Sequence, residues 1–107
     1  MHDFGVTVAS RDGAALVHPC GELDLASAPT LREALARLLR GDHRSLIMDL
    51  SRLTFSDCAG LRPVRWALRE GGAVGTDVQL RDAIPAVQRV LELTGLAVPL
   101  GARPALA

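Results

Sequence analysis

Aromatic side chains are scarce: two phenylalanines, one tryptophan and no tyrosine make up 3% of 107 residues. A core here must be built from Leu, Val, Ile and Ala, and the aromatic platforms on which single-stranded nucleic acids stack are missing. Cysteine is rarer still. Cys20 and Cys58 are too few for a disulfide framework, and neither sits in a Cys-x-x-Cys or Cys/His spacing that suggests zinc. Reduced thiols in a cytosol are the default. Charge of one sign is not in excess, since twelve Lys and Arg balance twelve Asp and Glu. The bulk field therefore invites neither nucleic acid nor an anionic membrane. No basic-then-apolar leader opens the chain, and no apolar stretch approaches the ~20 residues that span a bilayer. Repeats, linkers and low-complexity segments are absent as well. These absences predict a soluble cytoplasmic protein with no metal and no cofactor. They also predict one domain over residues 1–107, with a core of about 4–100 and a tail over 101–107. A chain of this length buries roughly 60–70% of the surface it exposes when unfolded, so it needs no covalent staple.

What is present is organised around Leu46-Ile47-Met48-Asp49-Leu50. A nearly unbroken apolar run predicts a central strand buried on both faces, as in parallel sheets under crossover helices. Before it, Phe4 to Ala9 alternates and meets the turn pair Asp12-Gly13, which predicts an opening hairpin. The second strand starts at Ala14 and is expected to end near His18, because Pro19 cannot donate to a ladder. A loop from Gly21 to Thr30 then leads into a helix, with Ser27 as N-cap and Pro29 in the first turn. Its apolar side is Leu31, Ala34, Leu35, Leu38 and Leu39, its polar side Arg32, Glu33, Arg37 and Arg40, and Gly41 stops it.

After the central strand a short polar loop reaches Asp57, placed as N-cap of a second helix running from Ala59 to a stop at Gly71-Gly72. Residue 58 would then stand at a helix N-terminus beside the carboxyl end of a central strand, where open α/β sheets build their sites. Pro63 conflicts with this: either the helix begins nearer Gly60, leaving Pro63 in the first turn, or it kinks. A last strand, Asp77–Arg81, precedes a third helix over about Ile84–Leu93, begun by Pro85 and stopped by Gly95. The tail is expected to fray after Leu100. The fold class is α/β, a mixed four-stranded sheet in β-β-α-β-α-β-α order. Right-handed crossovers put its helices mainly on one face, and the first strand is added antiparallel.

Four signatures occur in order: Gly21-Glu22-Leu23-Asp24, Met48-Asp49-Leu50-Ser51, Phe55-x-Asp57-x-x-Gly60-Leu61 and Leu93-Thr94-Gly95-Leu96. Together they resemble the STAS domain, specifically the stand-alone bacterial anti-sigma-factor antagonists, from Phe4 to Leu100. The resemblance implies a cytoplasmic switch in transcription regulation. Such a protein binds an anti-sigma factor, often a serine kinase of the histidine-kinase-like ATPase fold, and frees a sigma factor. It implies partner-binding positions at Asp24, Asp57, Cys58, Ala59 and Gly60. The helix that follows borders the partner surface in the family, which adds Arg62 and Arg65. The family phosphorylates a serine or threonine directly after the loop aspartate; here that residue is Cys58. Cysteine keeps the size and neutrality of unmodified serine but is a poor acceptor for a serine kinase, so the resemblance implies a form held ready to bind.

Other readings of the same residues stay open. Cys58 could be a redox-sensing thiol, activated by a helix N-terminus and opposed by Asp57, or a small interface residue; Cys20 could approach it closely enough for a bridge. Ser56 and Thr54 flank the site as alternative acceptors. Asp57 reads equally as a cap. Asp24 reads as partner contact, because its loop precedes the helix start and needs no cap there, and Asp49 as a carboxylate satisfied by backbone amides. No catalytic pair is evident, since His2, His18 and His43 sit in a terminus, a strand and a turn, so a non-enzyme is expected. Trp66 serves either as an exposed anchor or as core-edge packing. Beside the antagonist stand a thiol-based redox STAS protein and a scaffold or small-ligand-binding subunit, with homodimerisation left open.

Overall fold

Asp12 and Gly13 both adopt positive φ, 52° and 83°, the conformation demanded of a two-residue hairpin turn. They join β1 (Phe4–Arg11) to β2 (Ala14–Leu23). The computed structural model describes residues 3–96, so the expected fraying after Leu100 lies outside the described residues. The chain continues through α1 (Ala28–Leu39), β3 (Ser45–Asp49), β4 (Leu53–Ser56), α2 (Arg62–Val74), β5 (Asp77–Arg81) and α3 (Pro85–Leu93). The sheet is mixed, in the order β1-β2-β3-β5, with β4 also paired to β2. β1 is antiparallel to β2 and the other pairs are parallel. Leu31, Leu35, Val64, Ala67, Val87 and Leu91 of the helices join Val17, Leu46 and Met48 of the sheet in one buried cluster.

Four expectations are corrected. The sheet has five strands, not four, because Leu53–Ser56 is a strand and not a loop. It is four residues long and its register to β2 shifts between Gly21 and Glu22, so Leu53 and Ser56 are buried while Thr54 and Phe55 are exposed. That pattern has no period of two to read. β2, second, runs through Pro19 to Leu23. On its inner side β3 pairs only as far as Val17 and β4 only from Gly21, so no neighbouring strand there awaits an N–H from residue 19.

Third, β3 is covered on one face alone. Leu46 and Met48 are fully buried, whereas Ser45, Ile47 and Asp49 are half-buried; Ile47 made a one-sided strand read as two-sided. Fourth, α2 begins at Arg62 and not at Ala59; of the two alternatives for Pro63 the first holds, since it lies in the first turn, where a missing N–H costs nothing. It passes through Gly71-Gly72 and ends at Gly75 (φ 81°). Gly71 is not a stop but a close contact: a Cβ there would overlap the Val78 side chain and stand 2.9 Å from the Thr76 carbonyl oxygen. α3 ends as expected at Gly95, whose N–H donates to Glu92 O (3.2 Å) while Leu96 N–H donates to Leu91 O (2.9 Å), a Schellman closure.

Asp49 turns the chain from β3 back toward β2. Its Oδ1 accepts the Ser51 N–H at 2.9 Å, as the sequence suggested, and Leu53 N–H closes the turn on Leu50 O at 3.1 Å. His18 Nδ1 lies 3.4 Å from Asp49 Oδ2, off a hydrogen-bonding line, so this buried nitrogen has no hydrogen-bond partner. Burial pushes the Asp49 carboxyl up, but the backbone and side-chain hydrogen bonds of Ser51 and the charges of His18 and Arg52 together outweigh it. The group therefore titrates below its ordinary value. A carboxyl lowered in the folded state stabilises above its unfolded value and loses that contribution as pH falls through the folded one. Asp49→Asn should therefore be less stable than the parent in urea near neutral pH, with the difference closing below about pH 4. A difference unchanged by acid would contradict the assignment.

Candidate functional site

Two short turns, each opened by an aspartate, meet at the carboxyl ends of β2 and β4. In the first, Asp24 Oδ1 accepts the N–H groups of Ala26 (3.0 Å) and Ser27 (3.1 Å), and Asp24 N–H donates back to Ser27 Oγ (2.9 Å). The Ser27 hydroxyl donates to Glu22 O at 2.7 Å. This reciprocal pair is a capping box on the turn that enters α1. The expectation that this loop needs no cap is thus corrected, and Ser27, although it holds the N-cap position of α1, makes no side-chain cap to that helix. The signal was legible as Asp-x-x-Ser ahead of an apolar periodic run.

In the second turn Asp57 Oδ1 accepts Gly60 N–H at 2.7 Å, and Leu61 N–H and Arg62 N–H donate to Cys58 O (3.2 Å) and Ala59 O (3.3 Å). Asp57 therefore caps a turn over 58–61 that precedes α2, and not α2 itself, whose N-cap residue is Leu61. Cys58 stands on that turn rather than at the helix terminus, and it is exposed.

The two turns touch through Gly60. A Cβ at this position would overlap Leu23 O and stand 3.0 Å from Asp24 N, and Asp57 N–H donates to Leu23 O at 3.3 Å. Asp24 and the Asp57–Gly60 stretch are so brought together, with Ala59 half-buried and Gly60 buried. The residue after each aspartate points outward: Cys58 is exposed, and so is Leu25, at 67%. Leu25 was not singled out from sequence, because an exposed leucine carries no mark distinguishing it from a core one.

Of the helical candidates, Arg62 is exposed. Arg65 reaches across to α3, donating from Nη2 to Thr94 O at 2.7 Å; α3 has no basic residue in its own last turn, and this guanidinium meets its orphan carbonyl. Trp66 is packing and not an anchor, half-buried with the Arg32 guanidinium 3.9 Å from its ring centroid. Ser56 is buried, its hydroxyl donating to Asp57 O (3.1 Å), and Thr54 donates to Gly21 O (3.2 Å) from an exposed position. Cys20 lies half-buried in β2 with its thiol 3.6 Å from His18 O, and both cysteines are free. Among the described residues no three His, Cys, Asp or Glu are grouped to hold a metal, and no helix is long and apolar enough to cross a membrane.

Because the obstacle at residue 60 is backbone, Gly60→Ala should cost about 1–3 kcal/mol. Urea unfolding measures it, and a change within about 0.5 kcal/mol would show that the turns are not docked as described.

The family model of the STAS domain matches residues 6–102. The anti-sigma-F factor antagonist RsfB of Mycobacterium tuberculosis is 37% identical over 57 residues, which are 53% of this chain and 47% of that protein. The chain thus spans about half the length of this curated relative. A crystal structure of an anti-sigma factor antagonist from Mycobacterium paratuberculosis is 30% identical, covering 88% of this chain and 80% of that one, with a TM-score of 0.74. SpoIIAA in its unphosphorylated form is 26% identical over 88% of this chain and 82% of its own, with a TM-score of 0.73. The phosphorylated form of SpoIIAA from Bacillus is 25% identical over 88% and 85%, with a TM-score of 0.68. The four signatures, the mixed sheet and the paired turns have their common explanation here: this chain belongs to the STAS domain family.

Proposed function

We propose that the chain is an anti-sigma-factor antagonist, acting by binding and not by catalysis. It engages an anti-sigma factor of the histidine-kinase-like ATPase fold in the cytoplasm and so releases a sigma factor. The names of its relatives support the partner class. The observation that carries the reading to a place on the molecule is the exposed Cys58, held out on a turn that Asp57 caps and Gly60 docks against Leu23 and Asp24. Asp24, Asp57, Cys58, Ala59, Arg62 and Arg65 form the proposed surface, the buried Gly60 holds its two turns together, and Leu25 adds an exposed apolar side chain on the first turn. Asp24 and Asp57 each bind amides with Oδ1, so their first contribution is to hold both turns in shape.

Cys58 replaces the residue that the resemblance makes the phosphoacceptor, and SpoIIAA exists in both phosphorylated and unphosphorylated forms. A phosphate would bring about −1.5 to −2 charge to this turn, next to two carboxylates, and would repel a partner fitted to a neutral side chain. A thiol is a poor acceptor of such a group from a serine kinase. Cys58 therefore keeps the protein competent to bind, and Ser56, being buried, offers no substitute.

The reading is tested with an anti-sigma kinase and ATP, comparing the native chain with Cys58→Ser. The native form should bind and remain unmodified, while the serine form is phosphorylated and released. Cys58→Asp should weaken binding by about tenfold or more, with urea stability within about 0.5 kcal/mol of the parent. Failure of both the native and serine forms to bind any anti-sigma factor of the host would overturn the antagonist reading.

A further inference from the structure

β1 closes one side of the strand order. Its inner edge pairs with β2 over all eight residues, whereas its outer edge meets no strand among the described residues. Sheet edges are ordinarily blunted by short length, charge, proline or a bulge. β5, on the opposite side, is five residues long with Asp77 and Arg81 at its ends. β1 has none of this protection before Arg11, and it leaves Val8 46% exposed.

We infer that the outer edge of β1 pairs antiparallel with β1 of a second copy of the chain, across a two-fold axis at Thr7. A two-fold contact must be complementary to itself, and this segment is. With Thr7 opposite the partner's Thr7, Val6 faces the partner's Val8, Gly5 the partner's Ala9, Phe4 the partner's Ser10 and Asp3 the partner's Arg11. Asp3 and Arg11 are exposed and have no ion-pair partner among the described residues. In this register opposite charges sit directly across from each other at both ends, where cross-strand pairs attract. Alternate residues of an edge strand direct their backbone groups outward, so self-pairing must join positions of equal parity, as this register does. Val8 lies on the helix-bearing face, opposite the buried Val17, and gains the partner's Val6 as an apolar neighbour. A single strand pair buries less than a standard interface, so the association is weak and concentration-dependent. The edge contains none of the residues proposed to bind an anti-sigma factor, so the two readings stand or fall separately.

Sedimentation equilibrium of the full chain over rising concentration tests the pairing, with circular dichroism confirming that each variant is folded. The parent should pass from monomer to dimer. Asp3→Arg alone, and Arg11→Asp alone, each set like charges opposite at both ends and should raise the dimer dissociation constant about tenfold. The double variant D3R/R11D restores complementarity and should return it to the parent's value. A parent that stays monomeric at every concentration would overturn the inference. So would a dimer indifferent to the single changes, or a double variant no better than either one.

Discussion

No side chain fits at residue 60, and the site depends on that. The backbone of Gly60 lies against Leu23 O and Asp24 N, so the turn after β4 and the turn after β2 form one surface instead of two separate loops. Gly60 can approach so closely because Asp57 holds its N–H at 2.7 Å and because β4 runs alongside the last residues of β2. A partner landing here, as proposed, would meet both turns together, with Leu25 and Cys58 both exposed to it.

The same local device is used twice. Asp24 and Asp57 each accept the N–H three residues on, and each turn leads into a helix with a proline in its first turn. The carboxylates that looked like a recognition pair are thereby committed first to backbone shape. In sequence, Asp57 was legible as a cap, though of the turn and not of α2. Asp24 shows itself only as Asp-x-x-Ser, a signal that competes with the reading of Ser27 as N-cap of α1. The aspartates thus hold the two turns in shape, while the residue after each projects outward.

The hairpin, the three helices and the parallel order of β2, β3 and β5 were legible from turn pairs and apolar periodicity. What failed did so for local reasons. β4 is too short and too irregular for a period, and Pro19 looked like a strand end because the gap between β3 and β4 beside it exists only in three dimensions. Ile47 sits on the uncovered face of β3 yet is as apolar as its buried neighbours. Gly71 resembles a helix stop and is instead the place where α2 comes closest to Val78. Each miss is a case of tertiary packing giving a residue a role that its local sequence does not display.

A partner is proposed to land on the joined turns around Cys58. Amide chemical-shift mapping of the isotope-labelled chain, titrated with an anti-sigma factor that binds it, addresses this directly. The largest shifts are expected at Asp24, Leu25, Asp57 through Gly60 and Arg62, with β1 and β5 little changed. Shifts concentrated on the uncovered face of the sheet, at Leu16, His18, Ile47 and Gln79, with the two turns silent, would contradict it.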